Sequence, residues 1–262
     1  MDLGLNERAC IITGASRGIG RVTAGLFAAE GASVLLVGRD GSALEEAALE
    51  VSGRTEVLAL DVTAPDAGRL LLEECMSRFG RVDVLVNNAG TSAVRSLDDL
   101  TDADWQAQWE LHVMAPMRVM RSVAPAMAER GWGRIVNVSS SSGKRPSGTN
   151  MAYSVTKAAV LSLSRAFADL YASRGVLVNA VTPGPVGDDL WLASGGLADQ
   201  QAEAKGVSRE EILEQVAGRT PIGRLARAEE IAAVVAFLCS EQASNVVGAA
   251  WSVDGGTVPV II

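Results

Sequence analysis

The chain has 262 residues, of which 48% are hydrophobic, and carries a formal net charge of -8 at pH 7. This length and composition suit one buried α/β core, whereas the acidic charge disfavours a nucleic-acid partner, which needs clustered lysine and arginine. No stretch approaches the roughly 18 apolar residues of a membrane span, and residues 1–8 lack a secretory signal pattern. We therefore expect a cytoplasmic protein without a membrane partner, with a single domain over residues 1–262.

Short β-branched runs alternate with longer helical patterns along the chain. The runs cover residues 9–13, 33–37, 56–60, 82–87, 134–139, 176–181 and 250–253. They are apolar through most of their length, which is typical of strands covered by helices on both faces. The alternation predicts an α/β fold with a doubly wound parallel sheet of about seven strands flanked by helices.

A glycine-rich turn, T-G-A-S-R-G-I-G at residues 13–20, follows the first run and opens a helix. Glycine lacks Cβ, so it permits a tight turn and lets a pyrophosphate approach the backbone at a helix N-terminus. A lone glycine pattern also fits a purely structural turn. The flanking strand and helix favour a dinucleotide site that contains Gly14, Ser16, Arg17, Gly18, Ile19 and Gly20.

The three cysteines, Cys10, Cys75 and Cys239, are far apart and lie in apolar surroundings. Their spacing is not that of metal ligands. We expect buried, reduced thiols and no metal site.

Five further motifs follow the glycine turn in a fixed order. They are N-N-A-G at 87–90, S-S at 139–140, Tyr153-x-x-x-Lys157, Pro183-Gly184, and V-D-G-G at 253–256. Together they resemble the short-chain dehydrogenase/reductase family, and in particular its 3-oxoacyl-carrier-protein reductase-like members, over nearly the whole chain. The resemblance implies a Rossmann-type fold and NAD(P)-dependent hydride transfer to or from a carbonyl or secondary alcohol substrate, in a homotetramer or dimer.

The resemblance also implies which residues hold the cofactor. Beyond the glycine turn these are Asp61, Val62, Asn88, Ala89, Gly90, Tyr153, Lys157, Pro183, Gly184 and Val186. Asp61 has a second interpretation, as an ordinary helix N-cap.

The end of the second run bears on the choice of dinucleotide. Family members that prefer NAD commonly carry an acidic residue there, but this chain has Gly38 followed by Arg39. Arg17 and Arg39 could converge on a ribose 2'-phosphate, which a carboxylate would repel. NADP is therefore the preferred cofactor, and NAD remains possible if Asp40 turns towards the ribose.

Tyr153 and Lys157 are four residues apart, which places them on one face of a helix. An adjacent ammonium favours phenolate and lowers the pKa of a tyrosine towards the working range. By resemblance Tyr153 is the acid/base, Lys157 holds the nicotinamide ribose, and Ser140 orients the substrate oxygen. Ser140, rather than Ser139, has the 13-residue separation from the tyrosine that the family shows.

The helix predicted over residues 101–130 departs from the family at one position. His112 stands where related enzymes carry an asparagine that holds a water in a proton relay to the lysine. A neutral imidazole can accept and donate, so His112 could hold the same water and make the rate pH-sensitive near neutrality. A satisfied polar group beside the site is the alternative.

Residues 186–220 interrupt the strand and helix rhythm and are predicted to form a substrate lid. Leu190, Trp191, Leu192 and Leu197 would give it a mostly apolar lining. Asp188 stands near the position of the family's threonine that contacts the nicotinamide carboxamide, so this chain departs from the family pattern at that contact.

Three functions fit these residues. The first is an active oxidoreductase that uses NADP(H) or NAD(H). The second is a dinucleotide-binding sensor or scaffold with weakened catalysis, which His112 and Asp188 would explain. The third is a lyase or epimerase that uses the cofactor transiently, although the closing motif resembles simple reductases more.

Overall fold

The computed structural model describes residues 2–259, in which seven strands alternate with ten α-helices. Residues 1 and 260–262, the ends of the predicted domain, lie outside the described residues. The strands are β1 (Ala9–Thr13), β2 (Ser33–Gly38), β3 (Arg54–Ala59), β4 (Val84–Asn87), β5 (Gly133–Val138), β6 (Val176–Pro183) and β7 (Ala250–Val253). The helices are α1 (Gly18–Ala29), α2 (Gly41–Leu49), α3 (Ala67–Phe79), α4 (Asp102–Trp109), α5 (Ala115–Glu129), α6 (Met151–Tyr171), α7 (Asp189–Leu192), α8 (Leu197–Lys205), α9 (Arg209–Arg219) and α10 (Ala228–Cys239).

All seven strands are parallel and form one sheet in the order β3-β2-β1-β4-β5-β6-β7. The chain moves outward from β1 to β3 and then returns to place β4 on the other side of β1. This reversal opens a crevice at the carboxyl ends of β1 and β4, where ligands bind in such sheets. The predicted Rossmann-type sheet and its single domain are confirmed.

A hydrophobic core lies on each face of the sheet. Ile12 and Phe27 belong to the core beneath α1, α2 and α10, while Ile11 and Met120 belong to the core beneath α3, α5 and α6. Successive residues of a strand point to opposite faces, so neighbouring Ile11 and Ile12 are both fully buried in different cores. This explains why the strands are apolar throughout.

Predicted strand bounds differ from the observed ones by a few residues at the edges. The run at 56–60 begins earlier, because Arg54 and Thr55 pair with Ser33 and Val34 of β2. Polar residues are tolerated there since β3 lies at the edge of the sheet. Strand ends depend on pairing partners that a local pattern does not contain.

Cys10, Cys75 and Cys239 are free and buried, as predicted. Burial raises the pKa of the Cys75 thiol to about 12, and Asp83 adds to this rise. These thiols are therefore unreactive packing groups. Between residues 2 and 259 there is no helix with the length and apolar character needed to cross a membrane.

Candidate active site

A cleft of about 680 Å³ runs along the carboxyl edge of the sheet. Nearly all the residues predicted for the cofactor line it, together with the predicted catalytic serine. These are Gly14, Ser16, Arg17, Gly18, Ile19, Arg39, Asp61, Val62, Asn88, Ala89, Gly90, Ser140, Tyr153, Lys157, Pro183, Gly184 and Val186. The structure therefore brings residues from six strand ends into one site, of a size typical for a bound small molecule.

The glycine turn exposes backbone to this cleft. Gly14 and Gly18 have φ values of 65° and 55°, a left-handed conformation that favours glycine. Gly20 lies beneath the turn, where a Cβ would overlap the Gly14 carbonyl oxygen and lie 2.5 Å from Asn88 Nδ2. Gly20 thus shapes the turn from below, and the bare backbone above it fits a pyrophosphate.

Asn88 and Thr13 hold the turn against β4. The Asn88 amide donates to the carbonyl oxygens of Thr13 and Gly14, both at 3.0 Å. The Thr13 hydroxyl accepts from the backbone N–H groups of Asn88 and Ala89 at 3.0 and 3.1 Å. Thr13 precedes the glycines in the motif, but its structural role is visible only once β4 lies beside β1.

Arg17 and Arg39 are exposed cations on the same cleft. Asp61 lies near Arg39; hydrogen bonds from Thr63 and, less strongly, the charge of Arg39 lower the pKa of its carboxyl. Asp61 does not cap a helix, because α3 begins after Asp66, so the N-cap interpretation is wrong.

Asp40 is already engaged at the start of α2. Its carboxylate accepts from the backbone N–H of Ala43 at 3.2 Å and from the Ser42 hydroxyl at 2.8 Å. These hydrogen bonds lower the pKa of Asp40 and stabilise the first turn of the helix. A carboxylate so placed would have to give up its cap to reach a ribose.

Ser139 and Ser140 have different partners. The Ser139 hydroxyl donates to the Lys157 carbonyl oxygen at 2.7 Å and is buried. Ser140 lies beside Tyr153 and acts to lower the pKa of its phenol, and the Ser140 hydroxyl accepts from the backbone N–H of Ser142 at 3.1 Å. Ser139 fastens β5 to α6, and Ser140 contacts the predicted acid/base.

The expected lowering of the Tyr153 pKa does not occur in this structure. Burial raises the pKa of the phenol above its ordinary value; the nearby Ser140 hydroxyl opposes the rise, and the charge of Asp188 adds to it. Lys157 Nζ lies 5.5 Å from the Tyr153 ring centre and donates to the Val138 carbonyl oxygen at 2.9 Å. Burial also lowers the pKa of Lys157 to about 8.

His112 lies in a widened turn between α4 and α5. Residues Glu110–Met114 form a π-helical segment in which the backbone N–H of Ala115 donates to the Glu110 carbonyl oxygen. Pro116 has no N–H to offer the His112 carbonyl, which favours such a widening. The predicted continuous helix is thus interrupted, and the extra residue turns His112 into the interior, with 2% exposure.

Both ring nitrogens of His112 are used. Nε2 accepts from the backbone N–H of Thr91 at 3.2 Å, and Nδ1 lies 3.0 Å from the Thr156 hydroxyl oxygen. The ring meets that of Tyr153 edge to face, with centres 5.3 Å apart. Desolvation and the nearby Lys157 charge hold the pKa of His112 well below its usual value, so titration of His112 near neutral pH is not expected.

A small cavity separates His112 from Lys157. It has a volume of about 20 Å³, and Asn87 and Asn137 also line it. Asn87 donates to the Asn137 side-chain oxygen at 2.8 Å. The space suffices for one water molecule with polar partners, which is compatible with the relay expected at this position.

The outer wall of the cleft comes from residues 186–220, which fold into α7, α8 and α9. Leu190, Trp191 and Leu197 line the cleft, whereas Leu192 does not; its side chain is 39% exposed. Gln200 on α8 accepts from the backbone N–H of Val94 at 2.9 Å, which joins this wall to the loop after β4.

The cleft also has polar lining residues that the sequence analysis did not single out. They are Ser92, Gln108, Ser142 and Asn150. Asn150 Nδ2 lies 3.4 Å from the Ser92 hydroxyl. Ser92 and Gln108 come after β4, Ser142 after β5 and Asn150 before α6, and no local sequence pattern marks them as cleft residues.

Known proteins match this chain along its length. A family model described as enoyl-(acyl carrier protein) reductase matches residues 14–258. Cis-4-hydroxycyclohexanecarboxylate dehydrogenase of Sinomonas cyclohexanicum is 38% identical over 257 residues, which cover 97% of this chain and 98% of that protein. The 3-oxoacyl-[acyl-carrier-protein] reductase of Escherichia coli (strain K12) is 35% identical over 254 residues, with the same two coverages of 97% and 98%.

Solved structures are similarly close. L-sorbose reductase from Gluconobacter frateurii, in a complex with NADPH and L-sorbose, superposes with a TM-score of 0.92 at 36% identity, and 100% of each chain is covered.

Proposed function

Because the chain belongs to the short-chain dehydrogenase/reductase family and is an NAD(P)-dependent oxidoreductase, we propose that it interconverts a small ketone and its secondary alcohol with Tyr153 as the acid/base. The observation that carries this proposal is that Ser140, Tyr153 and Lys157 line one cleft, with Lys157 Nζ 5.5 Å from the Tyr153 ring centre.

The dinucleotide supplies or removes a hydride at the substrate carbon. In reduction, Tyr153 gives its phenolic proton to the carbonyl oxygen as the C–H bond forms, and in oxidation it takes the proton from the hydroxyl. Ser140 donates a hydrogen bond to the same oxygen and stabilises the charge that develops there. Lys157 holds the cofactor ribose, and its ammonium favours the phenolate that Tyr153 becomes after reduction.

Proton supply to Tyr153 would run through Lys157 and a water in the small cavity beside His112. The cavity has polar walls and room for one water. With Nδ1 towards Thr156 and Nε2 towards Thr91, His112 would act by shaping this cavity and need not change its charge.

NADP(H) is the cofactor that the cleft fits best. Arg17 and Arg39 present two cations to it, and Asp40 is retained by α2. The NADPH complex of the L-sorbose reductase supports the same choice.

The mixed lining of the cleft favours a small substrate with polar substituents. Leu190, Trp191 and Leu197 offer apolar and aromatic surface, while Ser92 and Asn150 offer hydrogen-bonding groups. A hydroxylated ketone would use both kinds of group. The relatives named above act on very different compounds, so the substrate must be identified by testing a panel of ketones and alcohols.

Self-association through α4, α5 and α6 remains part of this proposal, as a homotetramer or dimer. Part of the apolar surface of α6 packs inward, since Leu163 and Phe167 contact the core. Leu170 on α6 is 65% exposed, so Leu170→Arg should lower the mass measured by light scattering, whereas Leu49→Arg on α2 should not.

A cofactor titration followed by turnover tests the function. We expect NADPH to bind more tightly than NADH, and a panel of ketones to include compounds that oxidise it. Tyr153→Phe should lower kcat by about 10²- to 10⁴-fold with NADPH binding retained. Tyr171→Phe, at the far end of the same helix, is the matched control and should keep full activity.

Two results would contradict the proposal. Tight dinucleotide binding without turnover on a broad panel would favour the sensor or scaffold. Substrate conversion without net change in NADPH absorbance would favour the lyase or epimerase.

A further inference from the structure

Asp188 places a carboxylate on the glycine turn. A Cβ built on Gly18 would lie 2.9 Å from Asp188 Oδ2, so this oxygen lies directly against the first residue of α1. The other oxygen, Oδ1, accepts from the backbone N–H of Leu190 at 3.1 Å and caps α7. The cap fixes the side chain, and the carboxylate remains within the cleft.

The position that Asp188 occupies is favourable for an anion. Unpaired N–H groups and the positive end of the helix dipole meet at a helix N-terminus. This is also where the glycine turn would receive the phosphates of a dinucleotide. A fixed carboxylate and a phosphate at this position repel each other unless one of them is neutralised.

Burial in the cleft favours the neutral form of Asp188, and so does the charge of the adjacent Asp189. Hydrogen bonds from the backbone N–H groups of Leu190 and Trp191, together with the charge of Arg17 in the turn before α1, favour the ionised form. The negative charge of Asp188 in turn raises the pKa of Tyr153 on α6. Burial is the strongest of these effects, and the pKa of Asp188 lies above its ordinary value.

We propose that Asp188 couples dinucleotide binding to the uptake of one proton from solvent. In the free protein its carboxylate takes the anion position at the start of α1, and in the complex the protonated carboxyl stands beside the cofactor phosphates. The inference rests on the proposed function, because it requires a dinucleotide in this cleft. It makes Asp188 a residue that regulates cofactor affinity.

The proton balance sets the size of the effect. One Asp188 carboxylate and one solvent proton give one carboxyl group when the dinucleotide binds. Between the pKa of Asp188 in the free protein and its higher pKa in the complex, the Kd for the dinucleotide should therefore rise about tenfold for each pH unit. An uncharged side chain at this position removes both the repulsion and the dependence.

Isothermal titration calorimetry with NADP⁺ at pH 8, in two buffers of different ionisation enthalpy, measures the protons taken up. The cofactor's 2'-phosphate, with a second pKa of about 6, is already fully ionised at this pH. The variants are Asp188→Asn and Asp188→Ser, because asparagine and serine can both still cap α7. Asp189→Asn removes the adjacent exposed carboxylate and is the matched control.

We expect the wild type and Asp189→Asn to take up close to one proton, and the Asp188 variants close to none with at least about tenfold lower Kd. Equal proton uptake in the wild type and Asp188→Asn, or weaker binding by both Asp188 variants, would overturn the inference while the oxidoreductase proposal stands. Failure of the wild type to bind either NADP⁺ or NAD⁺ between pH 6 and 8 would overturn both.

Discussion

The imidazole of His112 and the hydroxyl of Thr156 lie 3.0 Å apart across the helix interface behind Tyr153. The Thr156 hydroxyl donates to the Tyr153 carbonyl oxygen at 2.8 Å, so its oxygen accepts from His112 Nδ1–H. Nε2 is then unprotonated and accepts from Thr91. His112 is thereby fixed as a neutral ring of one tautomer, packed between α6 and the loop after β4.

This arrangement predicts that His112 does not set the pH dependence of catalysis. Its pKa is held well below the usual value, chiefly by desolvation, so the ring stays neutral from pH 6 upward. The chain has one histidine, and its imidazole NMR signals should not shift between pH 6 and 8. His112→Asn should leave the shape of the pH–rate profile as in the wild type, whatever its effect on the maximal rate. A wild-type inflection near neutrality that this variant lacks would refute the assignment.

Lys157 should cost the protein stability. Burial lowers its pKa from 10.5 to about 8, so the charged side chain is less favourable in the folded than in the unfolded state. Between these pH values the unfolded state binds more protons, and the penalty falls as the pH rises. Below pH 8 the penalty is complete. Lys157→Met should therefore raise the free energy of unfolding at pH 7 by about 1–3 kcal/mol while abolishing turnover.

Denaturant unfolding of the wild type and Lys157→Met at pH 7 and pH 9.5 checks this prediction. The difference between the two proteins should shrink at the higher pH. A variant that is less stable than the wild type at pH 7 would show that the Lys157–Val138 hydrogen bond outweighs the desolvation of the charge.

Ser139 and Ser140 should separate stability from activity. Ser139→Ala removes a buried hydrogen bond to the Lys157 carbonyl and should cost about 1 kcal/mol of folding free energy with kcat nearly unchanged. Ser140→Ala should lower kcat by about 10²-fold with little loss of stability. Thermal melts and steady-state rates of the two variants check this prediction. A stability loss in Ser140→Ala and a loss of kcat in Ser139→Ala would show that the roles of the two serines are reversed.

Arg39 should decide between the two dinucleotides. Loss of a charge-assisted contact to a 2'-phosphate is worth about 1.5–3 kcal/mol, so Arg39→Ala should raise the Kd for NADPH by about 10- to 100-fold. NADH lacks that phosphate, and its Kd should hardly change. Parallel fluorescence titrations measure both Kd values. An equal loss of affinity for NADPH and NADH would show that Arg39 contacts a part of the adenosine that both cofactors share.

The sheet and most of the cleft were predictable because their signals are local. A strand that is apolar throughout, such as Ala9–Thr13, is expected to be covered by helices on both faces whatever those helices are. The turn after this strand requires positive φ angles, and the glycines that permit them are visible in the sequence. The motif residues follow strands, and strand ends meet at one edge of a parallel sheet. Their convergence could therefore be inferred before any contact was known.

Features that depend on tertiary contacts were not predictable in this way. The π-helical segment that turns His112 inward results from Pro116 acting within a packed helix. The raised pKa of Tyr153 reflects burial and the charge of Asp188, which lies 35 residues later in the chain. These groups meet only in the folded cleft. The prediction from Tyr153 and Lys157 alone, that the pKa of Tyr153 is lowered, was therefore wrong.

The strand order has a consequence for biosynthesis. Once β4 has docked on β1, each later strand joins the one made just before it, so β5, β6 and β7 extend the sheet in the order of translation. The half of the cleft that contains the glycine turn is therefore synthesised before the half that carries Ser140 and Tyr153. From β4 to β7, the order of synthesis is also an order in which the sheet can be assembled strand by strand.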